Sequence, residues 1–277
     1  MPPLRARLAA LLLPGFTGLL LLFLFAPIAV MIVFSFNDPA GRQNITWQGF
    51  TLRNYVDVWG RSVITNAMAV SLAVAALSTV VATTFGTMIG LALTRYAFRG
   101  RWVVNLLIFI PMTAPEIILG ASLLTLWVSL GAERGFLTIL VSHIMFNISF
   151  VVVTIRARLV GFNRSLEEAG MDLYANGRTT FWKITFPLIF PGILSAALLA
   201  FALSIDDYVI TLFSAGRTVT FPLWVYGASR LGIPPEVNVL GTLIFVVALT
   251  FIVFQLWSQR RGGRSTSKAE PITMVMR

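Results

Sequence analysis

The chain has 277 residues, 57% hydrophobic and only 12% charged, where ordinary globular domains carry about 25% charged residues. That balance excludes a soluble domain and marks a polytopic membrane protein. Its net charge of +10 needs no nucleic-acid partner, because basic residues accumulate in the cytoplasmic loops of membrane proteins, and the absence of cysteine with a single histidine argues against disulfides, thiolate metal sites and a His/Asp metal centre.

Arg5 and Arg7 precede an apolar run over residues 11–36. A signal-peptide core spans about 7–15 residues. This run is longer and no small-x-small cleavage site follows, so it reads as an uncleaved first span bent by Pro14 and Pro27. A polar loop follows, and its NYVDVW stretch suits a short interfacial helix. The second span, 63–93, is rich in Ala, Ser, Thr and Gly, which let helices approach closely. The basic loop RYAFRGR leads to a third span, 102–129, containing Pro111 and Pro115. A fourth span covers 136–155, a fifth 188–213 and a sixth 237–257. The basic tail, 258–277, reads as disordered. The expectation is one all-α transmembrane domain over residues 1–277, with six helices. Most of the 21 Lys and Arg residues fall on the N-terminal tail, the RYAFRGR loop, the 156–187 loop and the C-terminal tail. That bias puts both termini in the cytoplasm.

Residues 156–187 form the one long polar segment. Connections of that length without a function are uncommon. From Glu167 through Gly192 the chain reads EEAGMDLYANGRTTFWKITFPLIFPG. A short amphipathic helix is expected first. Asn176-Gly177 should then supply a turn, since both tolerate positive φ. A second short helix should end before Pro187. A helix–turn–helix on the basic side of a membrane protein suits docking into another protein's groove. The segment resembles the EAA loop of ATP-binding-cassette (ABC) importer permeases, through Glu168-Ala169, Ile184, Pro187 and the following Pro191-Gly192. Gly170 stands where that family usually has its second alanine, and Tyr174 where it usually has glycine. The resemblance implies that Glu168, Ala169, Gly170, Asp172, Tyr174, Ala175, Phe181 and Pro187 meet a cytoplasmic ATPase. The chain itself has no P-loop, so ATP and its Mg are expected on that partner and no cofactor on this subunit.

Three acids fall inside expected spans. Asp206 and Asp207 lie about 22–24 Å along the fifth, counted from Pro191 at 1.5 Å per residue. A charged Asp near a helix centre costs about 2.5–3.5 kcal/mol, and a Leu or Ile returns only about 0.3–0.6. Such residues usually mark a polar pathway. On a continuous helix Ser204, Asp207, Tyr208 and Thr211 would form one stripe, with Asp206 about 100° away. Asp207 and Tyr208 are therefore expected to face a pore, with Asp206 as second choice. Glu116 sits near the centre of the third span beside two prolines, where released backbone carbonyls suit a cavity. His143, with Asn147 four residues on in the fourth span, reads as a satisfied interhelical hydrogen bond rather than a ligand. Trp127, Trp224 and Tyr226 read as an outer aromatic belt.

Acids at separated depths suit an elongated polycation better than one metal ion, which needs clustered ligands. The segments SIDDYVIT, PEIILG and FPLWVYGASRLGIPPEVNVLGT resemble permease subunits of spermidine/putrescine ABC importers, and the likeness runs from about Pro27 to Trp257. The resemblance implies a non-catalytic subunit of a bacterial inner membrane. It also implies a second permease chain, an ATPase dimer and a periplasmic substrate-binding protein that meets Trp224, Tyr226, Arg230 and Glu236. Two other readings stay open: an ABC permease for another small organic solute, and an ion-coupled secondary transporter. Against the latter stand the docking loop and the lack of an evident internal repeat.

Overall fold

The structure is a computed structural model that describes residues 4–41 and 43–262. Among these the only strand-like feature is an isolated bridge between Asn37 and Phe50. Everything else regular is helical, as the composition requires: in hydrocarbon, backbone groups must be paired within the segment itself.

The described residues fall into two compact units. One takes Met1–Arg61 and Ala228–Arg277. It contains α1 (Leu4–Ser35), α2 (Arg53–Asp57), a 3-10 turn (Val58–Gly60) and α12 (Pro235–Gly262). α1 and α12 pack closely where Gly241 meets Met31, so that a Cβ at position 241 would lie 2.5 Å from the Met31 sulfur. The loop after α1 is knit by Asn37, which is fully buried. Its amide donates to Asn44 Oδ1 at 2.6 Å and to the Thr46 carbonyl at 2.8 Å, and accepts from the Gln48 N–H at 2.7 Å. The expected NYVDVW helix is α2 with its 3-10 continuation.

The second unit is Ser62–Gly227. It contains α3 (Ser62–Arg95), α4 (Arg101–Thr113), α5 (Glu116–Ser129), α6 (Phe136–Leu159), α7 (Ser165–Asp172), α8 (Gly177–Thr180), α9 (Phe186–Asp206) and α10 (Val209–Ser214), and most of α11 (Phe221–Leu231). The small residues of α3 do what their size allows. A Cβ on Gly86 would lie 2.5 Å from Val151 Cγ1, and one on Gly90 would lie 3.0 Å from Ile155 Cγ2. The equal offset of these two pairs sets α3 and α6 parallel and in one register. Ala82, Val151, Ile155, Ile189, Ala196 and Ala200, from α3, α6 and α9, form the main buried cluster.

Among the described residues four helices are long and apolar enough to cross a membrane: Leu12–Ser35, Ser62–Arg95, Phe136–Leu159 and Gly177–Asp206. The expected third span is α4 and α5, bent by 111°. The break falls at Ala114, whose ψ of 136° is extended, because Pro115 disfavours a helical residue before it. The expected sixth span lies on α12, apolar from Pro235 to Thr250.

Three boundaries differ from expectation. The fifth span is not one helix: α9 ends at Asp206, Asp207 is extended with ψ 121°, and α10 restarts at Val209. The helix before Pro187 does not stop. A π-helical turn, Phe181–Thr185, carries it into α9. The wider turn accommodates Pro187, which lacks an N–H and would crowd the carbonyl of Lys183 in a regular helix. α12 runs to Gly262, so residues 258–262 of the expected disordered tail are helical. The rest of that tail lies outside the described residues.

Candidate docking loop and substrate path

α7 begins with two acids, about 100° apart around the helix, that meet different surroundings. Glu168 and Ala169 are exposed, as is Asp172 at the helix end. Glu167 turns inward, where one carboxylate oxygen accepts from both Arg95 and Thr185. Gly170 is buried against Ile184, and a Cβ there would meet the Ile184 Cδ1 atom. That atom is the free end of a flexible side chain, so alanine, the family's usual residue, fits after a small rotation.

The turn lies two residues earlier than expected. Asn176 has φ −73°, and it caps α8 by accepting from the Thr179 N–H at 2.8 Å. The positive φ belongs to Tyr174, at 64°, the only non-glycine residue with positive φ among the described residues. This is the position where the family usually has glycine. The Tyr174 side chain is fully exposed. Ala175 and Phe181 are half-buried, and the Phe181 ring meets Trp182 edge-on at 5.3 Å. Pro187 is exposed in the first turn of α9.

At the break between α9 and α10 a buried polar chain forms. His143 on α6 places Nδ1 at 2.7 Å from Ser204 Oγ and Nε2 at 2.9 Å from Thr211 Oγ1. Ser204 Oγ is 3.0 Å from Ser78 Oγ. Thr211 donates its hydroxyl to Asp207 Oδ2 at 2.8 Å and its N–H to the same oxygen at 2.7 Å. Since that hydroxyl proton goes to Asp207, Thr211 Oγ1 accepts from His143 Nε2–H. In a neutral imidazole Nδ1 then accepts from Ser204. The Ile210 N–H and His143 Nε2 also approach Asp207, each at 3.3 Å. Asp207 thus caps the start of α10 and ends a chain Ser78–Ser204–His143–Thr211–Asp207.

Asp207 is therefore the inward acid, with its side chain 8% exposed, and Asp206 is the exposed one. This reverses the order expected from a continuous helix. Ser204, Asp207 and Thr211, grouped by the stripe argument, all meet His143. Tyr208 leaves the stripe, and its ring lies 4.6 Å from that of Tyr226. Glu116 is exposed at the start of α5, directly after the second helix break. α5 packs on α10, with Gly120 against Phe213 and with Leu119, Leu123 and Ile210 in one buried cluster. Asp206 and Glu116 each sit beside a helix break.

The expected docking residues divide as well. Tyr226 and Arg230 are exposed on α11 and Trp224 is half-buried, with its ring 6.3 Å from Phe221. Glu236 is only 3% exposed and pairs with Arg61 at 2.6 Å. Its burial removes it from the docking surface. Glu167, Arg95, Thr185 and Ser78 were not among the expected site residues. Only Glu167 had a signal, as one of two adjacent acids on a helix start. Asn147, four residues after His143, is fully buried with no hydrogen-bond partner among the described residues. No group of three His, Cys, Asp or Glu able to hold a metal ion comes together among the described residues.

Residues 82–261 match the family described as binding-protein-dependent transport system inner membrane component. The chain is 38% identical over 244 residues to the spermidine/putrescine transport system permease protein PotC of Escherichia coli K12, covering 88% of this chain and 92% of that protein. It is 38% identical over 264 residues to the putrescine transport system permease protein PotI of the same strain, covering 92% of each. Among solved structures it resembles a bacterial ABC transporter involved in import of the acidic polysaccharide alginate, with TM-score 0.66, 20% identity and coverage of 94% of this chain and 98% of that chain. At that identity the likeness speaks for the fold.

Proposed function

Because this chain belongs to the binding-protein-dependent transport system inner membrane component family, we propose that it is one permease subunit of an ATP-driven importer that carries a polyamine, spermidine or putrescine, across the inner membrane. Relatives covered over nine-tenths of their length are permeases for these amines. The observation that carries the reading to this chain is the pair of exposed acids, Asp206 and Glu116, one at each helix break. An exposed carboxylate at that depth is costly against lipid. It is stable facing a polar path or a second permease subunit, where a polycation would compensate it. Tyr208 lies at the α9–α10 break, the buried Ser204 and Thr211 support it, and Asp207 holds their geometry.

The remaining parts follow the family. A second permease completes the path. An ATPase dimer holds ATP and Mg and supplies hydrolysis, so this subunit performs no catalysis. The ATPase contacts Glu168, Ala169, Asp172 and Tyr174 on the loop, with Gly170, Ala175, Phe181 and Pro187 shaping it. A substrate-binding protein docks outside on Trp224, Tyr226 and Arg230. Both termini are cytoplasmic, as the distribution of basic residues favours. ATP closes the ATPase dimer, the loop transmits the motion, and the path opens to the binding protein.

The test is ATP-dependent uptake of labelled spermidine and putrescine by proteoliposomes holding the whole complex, wild type beside Asp206→Asn and Glu116→Gln. Uptake by the wild type, reduced in both variants with assembly intact, supports the reading. Absence of uptake of either amine by a complex that hydrolyses ATP would remove the polyamine assignment. Uptake that persists without ATP and collapses with the proton gradient would instead favour an ion-coupled carrier.

A further inference from the structure

We propose that Glu167 is a positioning residue that locks the docking loop to the cytoplasmic end of α3, so that α7 and α3 move as one body during the ATP cycle. The proposal rests on the reading of 156–187 as the loop that meets the ATPase.

The argument is geometric. Arg95 is the last residue of α3 and Glu167 lies in the first turn of α7. Their side chains are only 24% and 12% exposed, so the pair is shielded from the water that weakens surface ion pairs. The charges also suit their places, a cation at a helix C-terminus and an anion at an N-terminus. The Arg95 guanidinium lies 5.9 Å from the Phe162 ring centroid, which fixes it from a second side. The same Glu167 oxygen accepts from Thr185, a residue 1% exposed within the π-helical turn that leads into α9. One carboxylate therefore joins three segments: the end of α3, α7, and the entry to α9.

Gly170 against Ile184 clasps α7 to the π turn, but Glu167 to Arg95 is the polar link from α7 to α3. α3 in turn packs tightly on α6 through Gly86 and Gly90. A push on the exposed face of Glu168 and Tyr174 thus reaches the helix core through Glu167. Glu167→Gln keeps an acceptor for Thr185 and removes the ion pair, so it loosens the link without emptying the site.

The chain has no cysteine, so paired spin labels report directly. Val80 on α3 and Met171 on α7 are both exposed and lie outside the contacts above. The experiment measures the distance between labels at Val80→Cys and Met171→Cys in the whole complex, nucleotide-free and with trapped nucleotide. The expected wild-type result is one narrow distance in both states. In Glu167→Gln, and equally in Arg95→Gln, the distribution widens or shifts with nucleotide. The double variant is no worse than either single one, and substrate carried per ATP falls about fivefold or more. A wild-type distance that changes with nucleotide overturns the proposal, as does a single narrow distance retained by both variants. Loss of the ATPase from Glu167→Gln complexes also overturns it, since Glu167 would then act in docking. Docking itself is read separately, by ATPase co-purification with Glu168→Lys. If the ATPase stays bound there, the docking reading fails, while the label distances still decide the link.

Discussion

The ring of Tyr208, at the break between α9 and α10, lies 4.6 Å from the ring of Tyr226 on α11, tilted by 40°. One residue was expected in the path and the other on the outer docking surface. Their contact joins the two. α11 is also held to α3, where the Phe221 N–H donates to Ser71 Oγ at 2.8 Å. Tyr208→Ala and Tyr226→Ala should therefore be non-additive in the thermal stability of the purified complex, with a coupling of about 0.5–1.5 kcal/mol for an aromatic pair. Additive effects would mean that the rings do not interact in the assembled protein.

The adjacent aspartates should separate in function. Asp207 accepts from Ile210 N, Thr211 N and Thr211 Oγ1 and lies beside His143. Asp207→Asn places an amide among donors, and should destabilise the complex by about 1–3 kcal/mol. Asp206→Asn changes an exposed side chain and should leave the thermal midpoint nearly unchanged, within about 0.5 kcal/mol. Its uptake of a polyamine should fall about tenfold or more, the scale of a lost charged contact. Thermal melts beside uptake on the same preparations would show whether the two effects part in this way.

Tyr174 is held at φ 64°, where a side chain costs about 1–2 kcal/mol. Glycine would relieve that cost and lose about 0.4–1 kcal/mol to chain entropy. Tyr174→Gly should thus be slightly stabilising, and Tyr174→Val, β-branched, clearly destabilising. Because the tyrosine is fully exposed, its ring contributes no packing within this chain. A weaker hold on the ATPase in Tyr174→Gly, with a higher melting point, would assign the ring to the docking surface.

Asn147 is fully buried and its amide has no partner among the described residues. Leucine is close in size and carries no polar atoms. Asn147→Leu should raise stability by about 1–3 kcal/mol, the penalty of an unsatisfied buried group. A fall in stability would show that the amide is paired in the assembled complex.

Much was legible from the chain alone, for physical reasons that act locally. Long apolar runs must cross a bilayer as helices, so α1, α3 and α6 appear where hydropathy put them. Pro111 and Pro115 marked the third span as irregular, but Pro111 stays within α4 and the break falls only before Pro115. Two acids and a stripe of hydroxyls in apolar surroundings announced a polar site. Only tertiary structure decided which acid serves which purpose. A helical-wheel argument assumes that the helix continues, and α9 stops at Asp206. The break is stabilised by Asp207 capping α10 and by His143, which comes from a helix more than 60 residues earlier. Likewise Glu167 and Glu168 are equivalent in composition and adjacent in sequence. They differ because Arg95, 72 residues away, waits on one side of α7 only. Periodicity ranks faces of one element. Which face meets a partner depends on what the rest of the chain brings to it.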